Sequence, residues 1–232
     1  QLAVLQEISE KLPSEIDEIK QQIVILNNAK DGVVKNDILV KGTYNNNYSS
    51  LKYSGTWGTF TKDNETMIYS ETKGDKVEFY FYGTGFKWYT HTNPWRGYAK
   101  IYLDDVELKT VNLYSDNEIN NVLIYSQDQL ESNVHKVKIE VLADGDKISK
   151  AYKIVIYKIE ILDTVTASEY DEKIEEKEKQ LQEKEELLVS TTGQIEELQN
   201  EIEQLQNEIE KLKALQGGEV VEVTDLQVDD EN

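Results

Sequence analysis

Hydrophobic side chains near the N-terminus fall at Leu2, Leu5, Leu12, Ile16, Ile19, Ile23 and Leu26, with Ser9 in the same series, in steps of three and four residues. That spacing returns to one side of an α-helix, and a stripe so narrow is the seam of a coiled coil. It predicts a helix over 1–30. Pro13 interrupts the stripe and lacks a backbone donor, which predicts a kink or a fresh helix start. The stripe can pair between chains or pack on the chain's own domain; its strict spacing favours pairing between chains.

A second stripe runs through Ile174, Leu181, Leu188, Ile195, Ile202 and Ile209 every seven residues, with Tyr170, Leu198, Leu205 and Leu212 half a repeat away. It predicts a helix over 168–216, weakly seamed at Lys177, Lys184 and Thr191 and well formed from Ile195 to Leu212. Gly193 allows a hairpin, but Leu188 and Ile195 stay in phase across it, which favours one long helix. The expected oligomer seam is therefore Ile16, Ile19, Ile23 and Leu26 together with Ile195, Leu198, Ile202, Leu205, Ile209 and Leu212. Ile alternating with Leu late in the second helix favours two strands, whereas Ile16, Ile19 and Ile23 lean toward three, so dimer and trimer both remain open.

Between the helices the period changes from 3.5 to two. Val77, Phe79 and Phe81 alternate with Glu78, Tyr80 and Tyr82, and Val137, Ile139 and Val141 alternate with lysines and Glu140. Asp104-Asp105 joins two such runs as a tight hairpin turn. Eight to ten short strands punctuated by glycine, Asn93-Pro94 and Asp144-Gly145-Asp146 predict an antiparallel β-sandwich over 43–166, after a linker at 31–42. The fold class is thus mixed, a jelly-roll sandwich flanked by N- and C-terminal coiled coils. Gly217-Gly218 should end the second helix, leaving 217–232 as an acidic tail or short strand.

Composition sharpens this division. All 21 aromatic residues lie between Tyr44 and Tyr170, so one module holds both the core and any stacking surface. The net charge of −20 is concentrated in 168–232, which carries −15. Such a charge disfavours nucleic acid and anionic membranes. No apolar run approaches membrane-spanning length. With no cysteine, neither a disulfide framework nor a thiolate metal site is expected. Gln1-Leu2-Ala3-Val4 lacks the features of a leader, and the heptad already running at Leu2 reads as a piece of a longer polypeptide.

Four segments carry a family resemblance: Tyr53-Ser54-Gly55-Thr56-Trp57, Gly83-Thr84-Gly85-Phe86-Lys87-Trp88-Tyr89, Gly97-Tyr98-Ala99-Lys100-Ile101-Tyr102-Leu103-Asp104, and Val134-His135-Lys136-Val137-Lys138-Ile139. In this order they resemble the galactose-binding-domain-like β-sandwich of carbohydrate-binding modules. Asp105 and Asn133-Val134 stand where that pattern has glycine. The resemblance implies that His135 anchors a loop. Such a module interrupting coiled coil also looks like those of phage tail, baseplate or neck fibres.

The richest recognition candidate is the loop Thr90–Tyr98. Trp95 has no strand position to bury it and could stack on a sugar ring, while Arg96, the only arginine, joins Asn93 and His91 in contacting hydroxyls or a carboxylate. Tyr89 and Tyr98 flank them. The alternative folds Trp95 over the sandwich end and uses Arg96 to pin the loop. Tyr80, Tyr82, Tyr89, Tyr102 and Tyr114 offer a second, outward aromatic face, or ordinary sheet stabilisation. Calcium could sit at the Asp104 or Asp144 turns, but the clustered-ligand pattern is missing, and no metal or cofactor is expected.

No catalytic constellation is visible: His91 and His135 lie apart, and Asp104 and Asp105 point apart on a turn. The chain is therefore expected not to be an enzyme. The leading expectation is a homo-oligomeric fibre or adaptor of a phage-like particle, bound to other virion proteins, whose head contacts cell-surface glycan. The alternative is a carbohydrate-binding bacterial surface adhesin. Either is expected on a virion or outside the cell.

Overall fold

The computed structural model describes residues 1–62, 65–145 and 147–217. The expected strand or tail after Gly217, and Asp146 of the Asp144 turn, lie outside the described residues. The chain divides into two compact units, one of Gln21–Lys177 and one joining Gln1–Lys20 to the chain from Glu178 onward.

Among the described residues thirteen strands build the larger unit, more than the pattern predicts, because short edge strands add to the alternating runs. They are β1 (Ile38–Leu39), β2 (Gly42–Asn45), β3 (Lys52–Ser54), β4 (Gly58–Lys62), β5 (Glu65–Ser70), β6 (Lys76–Gly83) and β7 (Gly85–Thr92). β8 (Tyr98–Leu103), β9 (Val106–Asn112), β10 (Ile119–Gln127), β11 (Asn133–Val141), β12 (Ile154–Ile156) and β13 (Lys158–Leu162) complete the set. One sheet runs β1-β6-β11-β8-β9 with β3 also on β6, a second β10-β7-β13-β2, and a third β12-β5-β4. Among the described residues the pairings between these strands are antiparallel except β1 with β6.

Alternation decides the core. Val77, Phe79 and Phe81 of β6 share one buried face with Ala99, Ile101, Val137, Ile139 and Val141 of neighbouring strands. Phe86, Trp88, Ile159 and Ile161 of the second sheet face the same core. Phe86 meets Phe79 and Phe81 with ring centroids 6.2 and 5.9 Å apart, so the sheets interlock through aromatic edges. Burying each such ring contributes about 2–3 kcal/mol. Asp104 and Asp105 take φ of 49° and 64°, the left-handed pair that a two-residue hairpin turn needs. His135 ties this turn down, with Nδ1 2.8 Å from Asp104 Oδ2 and Nε2 2.9 Å from the Glu131 carbonyl.

Helix α1 spans Leu2–Lys30 and α2 spans Ala167–Gly217. Pro13 neither ends nor restarts α1, and α2 continues through Gly193 without a hairpin. Thr166 and Glu169 begin α2 as a reciprocal cap, the carboxylate accepting the Thr166 N–H at 2.8 Å and the threonine Oγ1 accepting the Glu169 N–H at 3.3 Å.

In the larger unit the end of α1 and the start of α2 lie together on the β domain. Leu26, Ala29, Tyr170 and Ile174 are buried with Val40 and Tyr82, and Lys30 pairs with Asp171. Tyr170 donates its hydroxyl to Asp163. In the smaller unit Leu12, Ile16 and Thr191 are buried, and Lys20–Glu185 (2.9 Å) and Glu15–Lys184 tie the helices together. Ile16 and Leu26 of the expected oligomer seam are thus buried within one chain. Ile19, Ile23, Ile195 and Leu198 are half-buried, whereas Ile202, Leu205, Ile209 and Leu212 are exposed.

Candidate functional site

The loop leaving β7 is bonded at every step. Asn93 Oδ1 accepts the Trp95 N–H at 2.9 Å, and the Asn93 carbonyl accepts the Arg96 N–H at 3.3 Å. Residues 150–153 clamp its far side: Lys150 N–H donates to the Pro94 carbonyl at 2.7 Å, and Lys153 N–H to the Trp95 carbonyl at 3.0 Å. Gly97 permits the crossing, since a Cβ there would lie 2.5 Å from the Asp144 carbonyl oxygen. Trp95 projects from this braced backbone at 49% exposure, with Lys150 Nζ 5.4 Å from its ring centroid. Of the alternative reading, the Trp95 lid is not formed, while the pinning of the loop by Arg96 is.

Its neighbours turn inward. Arg96 is 4% exposed and its Nε donates to the His91 carbonyl at 3.2 Å. Burial lowers its pKa to about 10, the Glu118 carboxylate opposing the shift, so it stays charged at neutral pH. His91 is 2% exposed, with Nδ1 2.7 Å from Asn120 Oδ1 and its ring edge-on to Tyr157 at 4.7 Å. Asn93 Oδ1 is spent on the turn, and Tyr89 donates to Glu160 Oε2 at 2.8 Å beneath Lys158. Tyr98 is half-buried on β8. The expected hydroxyl-binding partners are therefore corrected: Arg96 and His91 hold the loop from inside. Pro94 and Trp95 form the corner of a tight turn closed by the Arg96 N–H on the Asn93 carbonyl, so Trp95 sits at the exposed tip while Arg96 re-enters the domain.

The outward tyrosine face is also corrected. Tyr80 and Tyr102 lie on one sheet and Tyr89 on another, Tyr82 is buried, and Lys138 Nζ covers the Tyr102 ring at 3.6 Å. Among the described residues no group of three or more His, Asp or Glu side chains is arranged to hold a metal ion.

A feature the linear pattern did not single out is a cleft of about 330 Å³ lined by Asn45, Asn46, Asn47, Glu65, Thr66 and Tyr157. The run of three asparagines was its visible signal, but Glu65 and Tyr157 join it only through the fold.

His91 predicts a pH dependence. Desolvation lowers its pKa, as does the nearby Arg96 charge, while the Asn120 bond and nearby glutamates act in the opposite sense. With Nδ1–H donating to Asn120, the neutral ring leaves Nε2 as a lone pair, buried and without a protein partner. Protonation would add an unpaired buried N–H, so it favours the unfolded chain. Stability is therefore complete above about pH 6.5 and declines as pH falls below it. Melting temperatures from pH 7.5 to 5 should fall, and His91→Gln should flatten that slope. Desolvation is outweighed by hydrogen bonds and nearby cations at Glu78, Asp104 and Glu160, whose lowered carboxyls contribute stability that is lost as pH falls through the ordinary carboxylate range and below it.

No family model matches the chain. It is 31% identical over 96 residues to the A type blood N-acetyl-alpha-D-galactosamine deacetylase of Flavonifractor plautii, a match covering 39% of this chain and 12% of that protein. The expectation of a non-enzyme is corrected by this relative, which is named as an enzyme. That expectation rested on side chains of this segment alone, and the match spans a small fraction of the relative's length.

Three solved structures superimpose in part. A Paenibacillus xanthan lyase has a TM-score of 0.42 at 13% identity, covering 56% of this chain and 14% of its own. A two-domain esterase active on acetylated mannans gives 0.40 at 14%, covering 53% and 36%. The carbohydrate-binding module CBM36, in complex with calcium and xylotriose, gives 0.35 at 12%, covering 51% and 98%.

Proposed function

We propose that the β domain is a carbohydrate-binding β-sandwich module working within a carbohydrate-active enzyme, with Trp95 as its stacking platform. One observation carries the reading: an indole held half-exposed on a loop whose backbone is hydrogen-bonded on both sides. An exposed indole costs solubility without adding to the core, and a pre-ordered one loses little freedom when a ring stacks on it. The deacetylase relative, named for an amino sugar, supports saccharide as the ligand class. Catalysis belongs to another part of such a protein, and the segment holds the enzyme on its substrate, outside the cell.

Affinity electrophoresis in gels containing soluble polysaccharides tests this. Migration should be retarded in at least one gel, and Trp95→Ala should remove the retardation while leaving the melting temperature within about 2 °C, because an exposed loop side chain contributes little to stability.

A second reading, a fibre or adaptor of a phage-like particle that assembles with other virion proteins, draws on the open stripe of Ile202, Leu205, Ile209 and Leu212. It requires homo-oligomers. Sedimentation should then give a dimer or trimer that Ile202→Asn with Leu205→Asn dissociates, and a monomer at tens of micromolar protein removes this reading.

A further inference from the structure

The polar cleft beside β2 and β5 has no part in the Trp95 platform as described above. We propose that it is a second saccharide site, which takes a single uncharged sugar ring; the ligand class rests on the carbohydrate reading above. The floor is Asn46, 5% exposed and fixed from three directions. Its N–H donates to the Tyr157 carbonyl at 3.0 Å, its Nδ2 to the Thr66 carbonyl at 2.8 Å, and its carbonyl accepts the Tyr53 hydroxyl at 2.7 Å. Asn45 and Asn47 are exposed on either side of this anchor, so two amides project from a backbone that cannot shift freely. Tyr157 forms the opposite wall, held by its hydroxyl bond to Glu65 Oε1 at 3.0 Å and by its ring contact with His91.

The chemistry of that lining selects the ligand. Each amide offers a donor and an acceptor side by side, matching adjacent hydroxyls on a pyranose ring, which both donate and accept. The volume lies at the lower end of that of small-molecule sites, enough for one ring rather than a chain. Among the described side chains lining the cleft none is basic, and Glu65 is acidic. A uronic acid or phosphorylated sugar would meet the like charge of Glu65 in the cleft wall, whereas the nearby Lys158 Nζ leans over Tyr89, 5.9 Å from the Tyr157 ring centroid. The Trp95 platform has Lys150 beside its ring and the cleft has the Glu65 carboxylate in its lining, so the two surfaces should discriminate by charge.

The test follows the side-chain amide signals of Asn45 and Asn47 by NMR while the full chain is titrated with galactose, N-acetylgalactosamine, xylose or glucuronic acid. A neutral sugar should move these signals in the wild type and equally in Trp95→Ala, and glucuronic acid should not. Asn47→Ala, an exposed position, should weaken the neutral sugar about tenfold without lowering the melting temperature. Glu65→Lys should admit glucuronic acid. If sugars shift the Trp95 indole but leave both asparagines still, the cleft is no site while the carbohydrate reading stands. If they shift neither, both fall; equal response to glucuronic acid and galactose overturns the charge selection.

Discussion

Gly85→Ala is expected to destabilise the β domain by about 3 kcal/mol, at the top of the usual overpacking range. A Cβ at Gly85 would lie 2.2 Å from the Gln127 carbonyl oxygen and 2.9 Å from the Asp128 Cα. Both are backbone atoms at the end of β10, so relief requires β7 and β10 to separate, and β7 is central in its sheet. Gly83 is matched on the other side, where a Cβ would lie 2.4 Å from the Leu162 carbonyl oxygen that also accepts the Thr84 N–H at 2.8 Å. The Gly83-Thr84-Gly85 step is thus a place where main chain approaches main chain, and only a residue without Cβ fits. Urea denaturation of Gly85→Ala beside wild type measures the loss; a change below about 1 kcal/mol would mean that the strands yield.

Arg96→Ala should cost a similar amount, about 3 kcal/mol. The substitution removes a buried side chain and leaves the His91 carbonyl without the Arg96 Nε donor. It also leaves Glu118 without the cation that faces it. Arg96→Lys should recover less than half of this, because an ammonium cannot reproduce a planar guanidinium donor set. The two variants should weaken saccharide binding as well, since Trp95 is carried on the backbone that Arg96 holds. Thermal denaturation with a parallel gel-retardation assay separates this from Trp95→Ala, which should lose binding and keep its stability.

Much of the fold was legible in the chain. Alternation placed Val77, Phe79, Phe81, Val137, Ile139 and Val141 on one face, and all six are buried together. Asp104-Asp105 was readable as a turn because it joins two alternating runs, and both residues take the left-handed conformation that such a turn needs. Phase across Gly193 revealed a continuous helix, since a turn has no reason to preserve a heptad. Periodicity fixes a face but not what covers it. Leu26 carries the same stripe as Leu12 and Ile16, yet it packs on Val40 and Tyr82 of the β domain.

The site was half legible for the same kind of reason. Trp95 announced itself as a large ring among loop residues and is exposed. Arg96 misled because a charged side chain beside an exposed ring reads as surface, whereas it is buried with its Nε on a carbonyl five residues back and the Glu118 charge favouring its ionised form. Asn45, Glu65 and Tyr157 come from three strands or loops far apart in sequence, and only the antiparallel pairing brings them around one cleft.

The central claim, that the exposed indole is a saccharide platform, is most directly tested on the tryptophan indole N–H resonances. The chain has 3 tryptophans, so each gives its own signal, assignable by substitution. Titration with neutral and N-acetylated oligosaccharides should move the Trp95 resonance in a saturable way and leave that of Trp88, sealed in the core, unchanged. If the Trp95 resonance stays fixed across the panel at tens of millimolar ligand, far beyond the weakest useful affinity, Trp95 is not a binding platform.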